Sequence, residues 1–420
     1  MKIIKTILIV LLLLGQATLL TYAQENYNKS VKFTDGNWLI NDEFKPITVY
    51  SIDGVFSFNP PDNIDTIISL SNNYIIPPFA EAHNHNIGTG VTEWDKRAIE
   101  NYLQAGVFYV KIQGNLPVSE EYKRELLINK PGSIDVQFAQ GNITATNGHP
   151  INLIHSLHAK GFYKGQTLES LNNTRYFTID SEEEIADKWP IISKYKPDFI
   201  KILLVNSDMY EKNLNDAAVW YKGLNPKLVP QLVNRAHQNG LRISAHINNS
   251  FDFHQVLINK VDEIAHMPRM ISGFDYVPIS AEDAKLAATN NTFIITTLAI
   301  SLYQGGTIQK EDFPRAKNYQ AADLMTLKNQ GALIAIGSDD PSDTSVKEAM
   351  YIKSLNVFNN LELLNIWTGV TTQTIFPNRK IGLIEEGYEA NFIVLEGNPV
   401  EDFDFVTKIN TRFKQGYFIH

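Results

Sequence analysis

Apolar positions along the chain fall into two textures. Near the start they form short runs at 37–40, 47–52 and 55–58, and Asp53-Gly54 between the last two predicts a tight hairpin. Near the end, 391–395 predicts a strand and 413–419 another. Neither end buries enough surface to stand alone, so the two are expected to pair into one small β-sandwich domain. Between them, apolar runs at 74–79, 107–112, 136–143, 198–205, 241–247, 261–265, 292–300 and 332–336 alternate with polar, helix-compatible stretches. Helical texture is clearest over 230–239, which stops at Asn239-Gly240, and over 281–289. Alternation of this kind implies a parallel α/β sheet, and eight such runs suit a (β/α)₈ TIM-like barrel. The alternative is an open doubly wound sheet, but no early strand is followed by a glycine-rich phosphate turn. The expected organisation is 24–77 with 381–420 as the small β domain and 78–380 as the barrel.

In such a barrel the productive positions are the C-terminal ends of the strands. His83 and His85 follow the first run, spaced so that both leave an extended segment on one side. Lys201 lies inside the fourth run, His246 and His266 end the fifth and sixth, and Asp339 follows the eighth. Each has an ordinary explanation: a loop histidine, a lysine reaching solvent, a helix-capping aspartate. Their coincidence at strand ends, in an order that one barrel would bring together, points instead to a metal site.

The 420 residues are 44% hydrophobic and 20% charged, an ordinary globular balance. A formal net charge of -9 gives no reason to expect nucleic acid or an anionic membrane as partner, which leaves a small-molecule substrate. There is no cysteine, so disulfides, thiolate ligands, a cysteine nucleophile and a cysteine-linked lipid anchor are excluded, and any metal must be held by nitrogen and oxygen. Met1, Lys2 and Lys5, the apolar run at 7–14 and Thr21-Tyr22-Ala23 read as a signal peptide over 1–23, cut before Gln24. The run is too short and interrupted for a stable membrane anchor, so the expectation is an exported protein, periplasmic or secreted.

The set resembles the amidohydrolase superfamily, nearest its prolidase-like and imidazolonepropionase-like members. The superfamily's paired histidines match Pro77-Pro78-Phe79-Ala80-Glu81-Ala82-His83-Asn84-His85, and its lysine, two further histidines and aspartate match Lys201, His246, His266 and Asp339. Its return to the small β domain matches the segment 380–392. Pro78, Glu81 and Asn391 depart from the usual glycine and aspartates, none of them a ligand position. The resemblance implies hydrolysis of a carbon–nitrogen bond (amide, cyclic amide or dipeptide) with two divalent ions of the Zn²⁺ type. His83, His85 and Asp339 would hold one ion and His246 and His266 the other, bridged by a carbamylated Lys201, with Asp339 also moving the proton. It further implies a substrate-contacting role for His149, and Tyr221 follows the fourth run where it can reach a substrate. His155, His158, His237, His254 and His420 are expected to be structural or solvent-facing. A lactonase or phosphoester hydrolase on the same metals, or a metal-binding protein without catalysis, are the alternatives.

Overall fold

The computed structural model of the protein describes residues 29–213, 222–273, 275–302 and 308–419; the expected signal peptide, Tyr221 and His420 lie outside the described residues. The chain divides into two compact units, one of residues up to Pro77 and from Leu383 onward, the other Pro78–Gly382. The return thus falls at Leu383, just past the expected Ile381. The first unit opens with strands β1 (Ser30–Ile40), β2 (Glu43–Ile52), β3 (Val55–Ser57), β4 (Thr66–Ser69) and β5 (Tyr74–Ile76). The second carries β6 (Phe79–Asn84), β7 (Val107–Ile112), β8 (Asp135–Phe138), β9 (Asn142–Thr144) and β10 (Tyr176–Thr178). It continues with β11 (Ile200–Leu203), β12 (Ile243–His246), β13 (Glu263–Ile264), β14 (Phe293–Ile295) and β15 (Leu333–Ala335). The chain then returns through β16 (Asn391–Leu395), β17 (Ile409–Lys414) and β18 (Tyr417–Ile419).

The first unit is one eight-stranded sheet, ordered β18-β17-β16-β5-β1-β2-β3 with β4 against β1, rather than the expected two-sheet sandwich. Its edge strand β3 bridges Glu389 through Val55, and Phe56 N donates to Tyr388 O at 2.7 Å, so the sheet curls on itself around one core. Phe33, Trp38, Phe392 and Phe413 fill that core, with Phe33 edge-on to Phe392 at 5.0 Å. Edge-to-face pairs of this kind add about 0.5–1.5 kcal/mol each beyond the area they bury. Asp53 and Gly54, at φ 49° and 80°, form the two-residue hairpin turn between β2 and β3. The expected single strand over 413–419 is instead broken between β17 and β18, because Gln415 and Gly416 take φ 48° and 93° and turn the chain back.

Strands of the second unit pair in parallel throughout, as a sheet ordered β10-β9-β11-β12-β13-β14-β15 and a sheet β6-β7-β8. Backbone bonds link the two: Asp198 N donates to Phe138 O at 2.9 Å, and Ala82 N to Ile336 O at 2.9 Å. Three expected strands have other limits. The run 74–79 divides at Pro77-Pro78, because proline has no N–H for the ladder, so that β5 joins the first unit and β6 begins at Phe79. The run 136–143 divides into β8 and β9 where Gln140 takes φ 60°. The run 292–300 is strand only over Phe293–Ile295, since Thr297 at φ 48° leads into a 3₁₀ turn over Ala299–Leu302.

Helices cover the parallel strands by their apolar stripes. The helix Val229–Gln238 buries Val229, Leu232, Val233 and Ala236, one face at helical spacing, and ends before Gly240 at φ 69°. The helix Ala281–Asn290 starts at Ser280, whose hydroxyl accepts from Asp283 N at 3.0 Å. Among the described residues no helix is long and apolar enough to cross a membrane.

Candidate metal centre

Because the strands of the second unit run parallel, the residues that end them share one rim. His83 lies inside β6, not after it, and His85 follows that strand; His246 is the last residue of β12. His266 comes two positions after β13, Asp339 follows β15, and Lys201 projects from β11. His83, His85 and Asp339 each offer a ligand atom, all within 4.8 Å of one another. The Nε2 atoms of His83 and His85 are 3.2 Å apart and lie 3.4 and 3.5 Å from Asp339 Oδ1. His266 Nε2 stands 2.7 Å from His246 Nδ1, and the His83 and His266 rings stack with centroids 6.0 Å apart. His149 joins them, its ring centroid 4.8 Å from that of His246.

Ring orientation is set from behind. His83 Nδ1 faces Ala265 O at 2.5 Å, His85 Nδ1 faces Gly114 O at 3.1 Å and His266 Nδ1 faces Met267 O at 3.2 Å. A carbonyl can only accept, so those nitrogens carry the protons and each Nε2 keeps its lone pair for the cavity. Asp339 takes φ 51°, a left-handed conformation that aims its carboxylate at the histidines, while the adjacent Asp340 turns away to Ser342 and Lys347.

The first unit's curled sheet, the parallel strands and this rim together have close counterparts in known structures. No family model matches the sequence, and no curated protein matches it. Solved structures do: a Xaa-Pro dipeptidase with bound methionine in its active site (TM-score 0.71, 16% identity, 93% of this chain and 100% of that one). Ochratoxinase of A. niger matches with TM-score 0.72 at 15% identity, over 93% of this chain and 96% of that one. A protein described as an amidohydrolase matches with TM-score 0.70 at 15% identity, over 93% and 98%. The chain has the amidohydrolase fold.

Within that fold, the wall of a cavity of about 360 Å³ is formed by His83, His85, His149, Lys201, His246 and Asp339, with Arg175 and Arg269. Burial dominates the electrostatics. It lowers the His83 pKa to about 3 and those of His85 and His149 to about 4, and holds His246 and His266 well below the ordinary value, so all five rings are neutral at pH 7. Burial also drives Lys201 down to about 7, and its Nζ has no hydrogen-bond partner among the described residues. Burial works against ionisation of Asp339, but His83, His85 and Arg269 outweigh it and leave its pKa lowered.

Beneath the rim, Glu263 is already saturated. It receives Lys111 Nζ at 2.6 Å and Gln113 Nε2 at 2.7 Å and accepts from Thr374, so it offers Lys201 charge but no bond. Glu81 plays a supporting part: it accepts from Ser338 N and Oγ, both at 2.7 Å, and from His83 N at 3.2 Å, tying the His83 strand to the residue before Asp339.

Sequence reasoning missed both arginines. Arg269 Nη2 lies 3.2 Å from Asp339 Oδ2, and Arg175 precedes β10. Neither sits at a strand end or in a motif, so nothing local marks them. The remaining histidines bond locally: His158 to Gln166 O at 2.8 Å, His237 to Asp262 at 2.8 Å, His254 to Asp283 at 2.7 Å and His155 to Tyr176 at 3.4 Å.

Proposed function

We propose that this chain is an exported metal-dependent hydrolase that cleaves a carbon–nitrogen bond of a small amide, on a (β/α)₈ barrel closed through β6 and β15. The observation that carries the reading is the convergence of His83, His85, His246, His266 and Asp339 on one buried rim around an unpartnered Lys201. The names of the structural neighbours, dipeptidase and amidohydrolase among them, support the same class of bond.

The donor set fits two divalent cations. Imidazole nitrogen and carboxylate oxygen without thiolate suit Zn²⁺ and similar ions. His83, His85 and Asp339 would hold one; His246, through the Nδ1 that faces His266, and His266, through Nε2, would hold the other. The orphaned Nζ of Lys201 fits the same scheme, since an ammonium would repel both cations and burial favours the neutral amine. A neutral amine can add carbon dioxide, losing one proton as the carbamate forms, and the product supplies two oxygens where the ammonium supplied none. When bound, the ions would polarise the scissile carbonyl and acidify water.

The chain's own groups do the rest. Asp339 accepts the proton of the attacking water on its inward oxygen and returns it to the leaving amine. Arg269, bonded to the other oxygen at 3.2 Å, keeps the carboxylate turned inward. His149, neutral at pH 7, donates to the substrate carbonyl without adding charge. Apolar side chains such as Trp94, Leu157 and Phe162 line the same cavity and exclude bulk water. The test is a turnover screen of N-acyl amino acids, dipeptides and lactones with metal-free and zinc-loaded protein. Cleavage of amides that appears only with metal is the expected result; activity confined to lactones would move the protein to the ester-cleaving class.

A further inference from the structure

Two arginines reach the cavity, and they are differently placed. Arg269 is paired with Asp339 at 3.2 Å. Arg175 is 5% exposed, and its buried Nε and Nη1 have no hydrogen-bond partner and no carboxylate among the described residues. Its one neighbouring group of note is the Tyr163 ring, 5.7 Å from the guanidinium carbon. The position is held firmly: Arg175 N donates to Leu171 O at 2.9 Å, and its carbonyl accepts from Asn142 N at 3.2 Å.

A buried charge without a counter-ion is costly, and the cost is tolerated where function needs the charge. A buried ammonium can lose its proton; a guanidinium in a protein cannot, so its remedy is an anion. Asn142 stands beside it on the cavity wall with its own buried Oδ1 unpartnered, and its amide can turn to offer N–H to the same anion. The cavity otherwise presents Trp94, Leu153, Leu157 and Phe162. One end of the pocket therefore asks for a negative charge and the wall asks for an apolar group.

We propose that Arg175 anchors a carboxylate of the substrate, so that the site takes N-acyl derivatives of apolar amino acids with the carboxylate free. The forked guanidinium matches a carboxylate in two parallel bonds. The anion-binding part stands on Arg175 alone; the substrate class rests on the hydrolase reading above.

Calorimetry on the metal-free protein tests the anchor, with N-acetyl-L-phenylalanine against its uncharged analogue N-acetyl-L-phenylalaninamide. The acid is expected to bind at least about tenfold tighter, as a charge-assisted bond would give, and the difference to vanish in Arg175→Gln. Because the charge removed is unpaired, Arg175→Met is expected to melt no lower than wild type without ligand. Saturating acid should raise the wild-type melting temperature and leave that of Arg175→Met unmoved. Equal binding of acid and amide, no binding of either, preference kept in Arg175→Gln, binding of inorganic phosphate in place of the acid, or failure of both variants to fold would each overturn the anchor. Turnover by the zinc-loaded protein separates the two readings. Arg175-dependent binding without cleavage of any amide sinks the hydrolase and spares the anchor; cleavage indifferent to the carboxylate does the reverse.

Discussion

His266 presents Nε2 2.7 Å from Nδ1 of His246, although the two residues are 20 positions apart in the chain. His266 Nδ1 is turned to a carbonyl and His246 Nε2 has no partner, so the facing nitrogens are the ones left to bind an ion. Elemental analysis of the purified protein is expected to find two divalent ions per chain. Lys201→Ala should lose most of the bound metal and of the activity. One ion per chain, unchanged in that variant, would place the protein among single-metal enzymes.

Asp339→Asn is expected to keep the fold while activity falls by about 10²–10⁴-fold, the span general acid–base catalysis supplies. The amide can still offer oxygen to a metal but cannot accept and return a proton. Asp340→Asn is the control, because that side chain bonds Ser342 and Lys347. Its kcat/KM should stay within a few-fold of wild type, and an inactive Asp340→Asn beside an active Asp339→Asn would refute the assignment.

Gly337 has no room for a side chain: a Cβ there would lie 2.7 Å from His83 N and Cβ and from Ile295 Cγ2. Gly337→Ala is expected to cost about 1–3 kcal/mol by overpacking and to displace His83. Metal content and denaturant midpoint should fall together; a variant that binds two ions at wild-type stability would contradict this account of how His83 is placed.

Acid should destabilise the metal-free protein through its buried rings. His83, His85 and His149 have folded-state values of about 3 to 4 against an ordinary 6.5, so from pH 6.5 downward the unfolded chain binds more protons. Their contribution is complete above pH 6.5 and lost as pH falls toward 4. Lys201, at about 7 against 10.5, acts in the same direction in its own window, stability rising from about pH 7 toward 10.5. Urea midpoints measured from pH 4 to 9 without metal should rise with pH; a flat profile would mean that these groups are not buried.

The exported protein is expected to begin at Gln24. Mass spectrometry of the protein recovered outside the cytoplasm checks this, and an intact Met1 start would reject the signal peptide.

The order of strands and helices was legible in the sequence because period and turn chemistry are local. Asp53-Gly54 makes its turn from its own backbone preferences, and His246 and His266 end apolar runs that any parallel sheet would bury. Strand limits were less legible, since proline pairs and left-handed residues such as Gln140 act inside runs that read as continuous. The single curled sheet depends on Val55 meeting Glu389, a pairing between opposite ends of the chain that no local pattern encodes. The same holds at the rim. Residue types at strand ends named the candidate donors, but only the tertiary structure decided that Lys201 and Arg175 lack partners while Lys111 and Arg269 have them. Charge in a protein interior is governed by what lies within a few ångströms, and those neighbours come from distant parts of the chain.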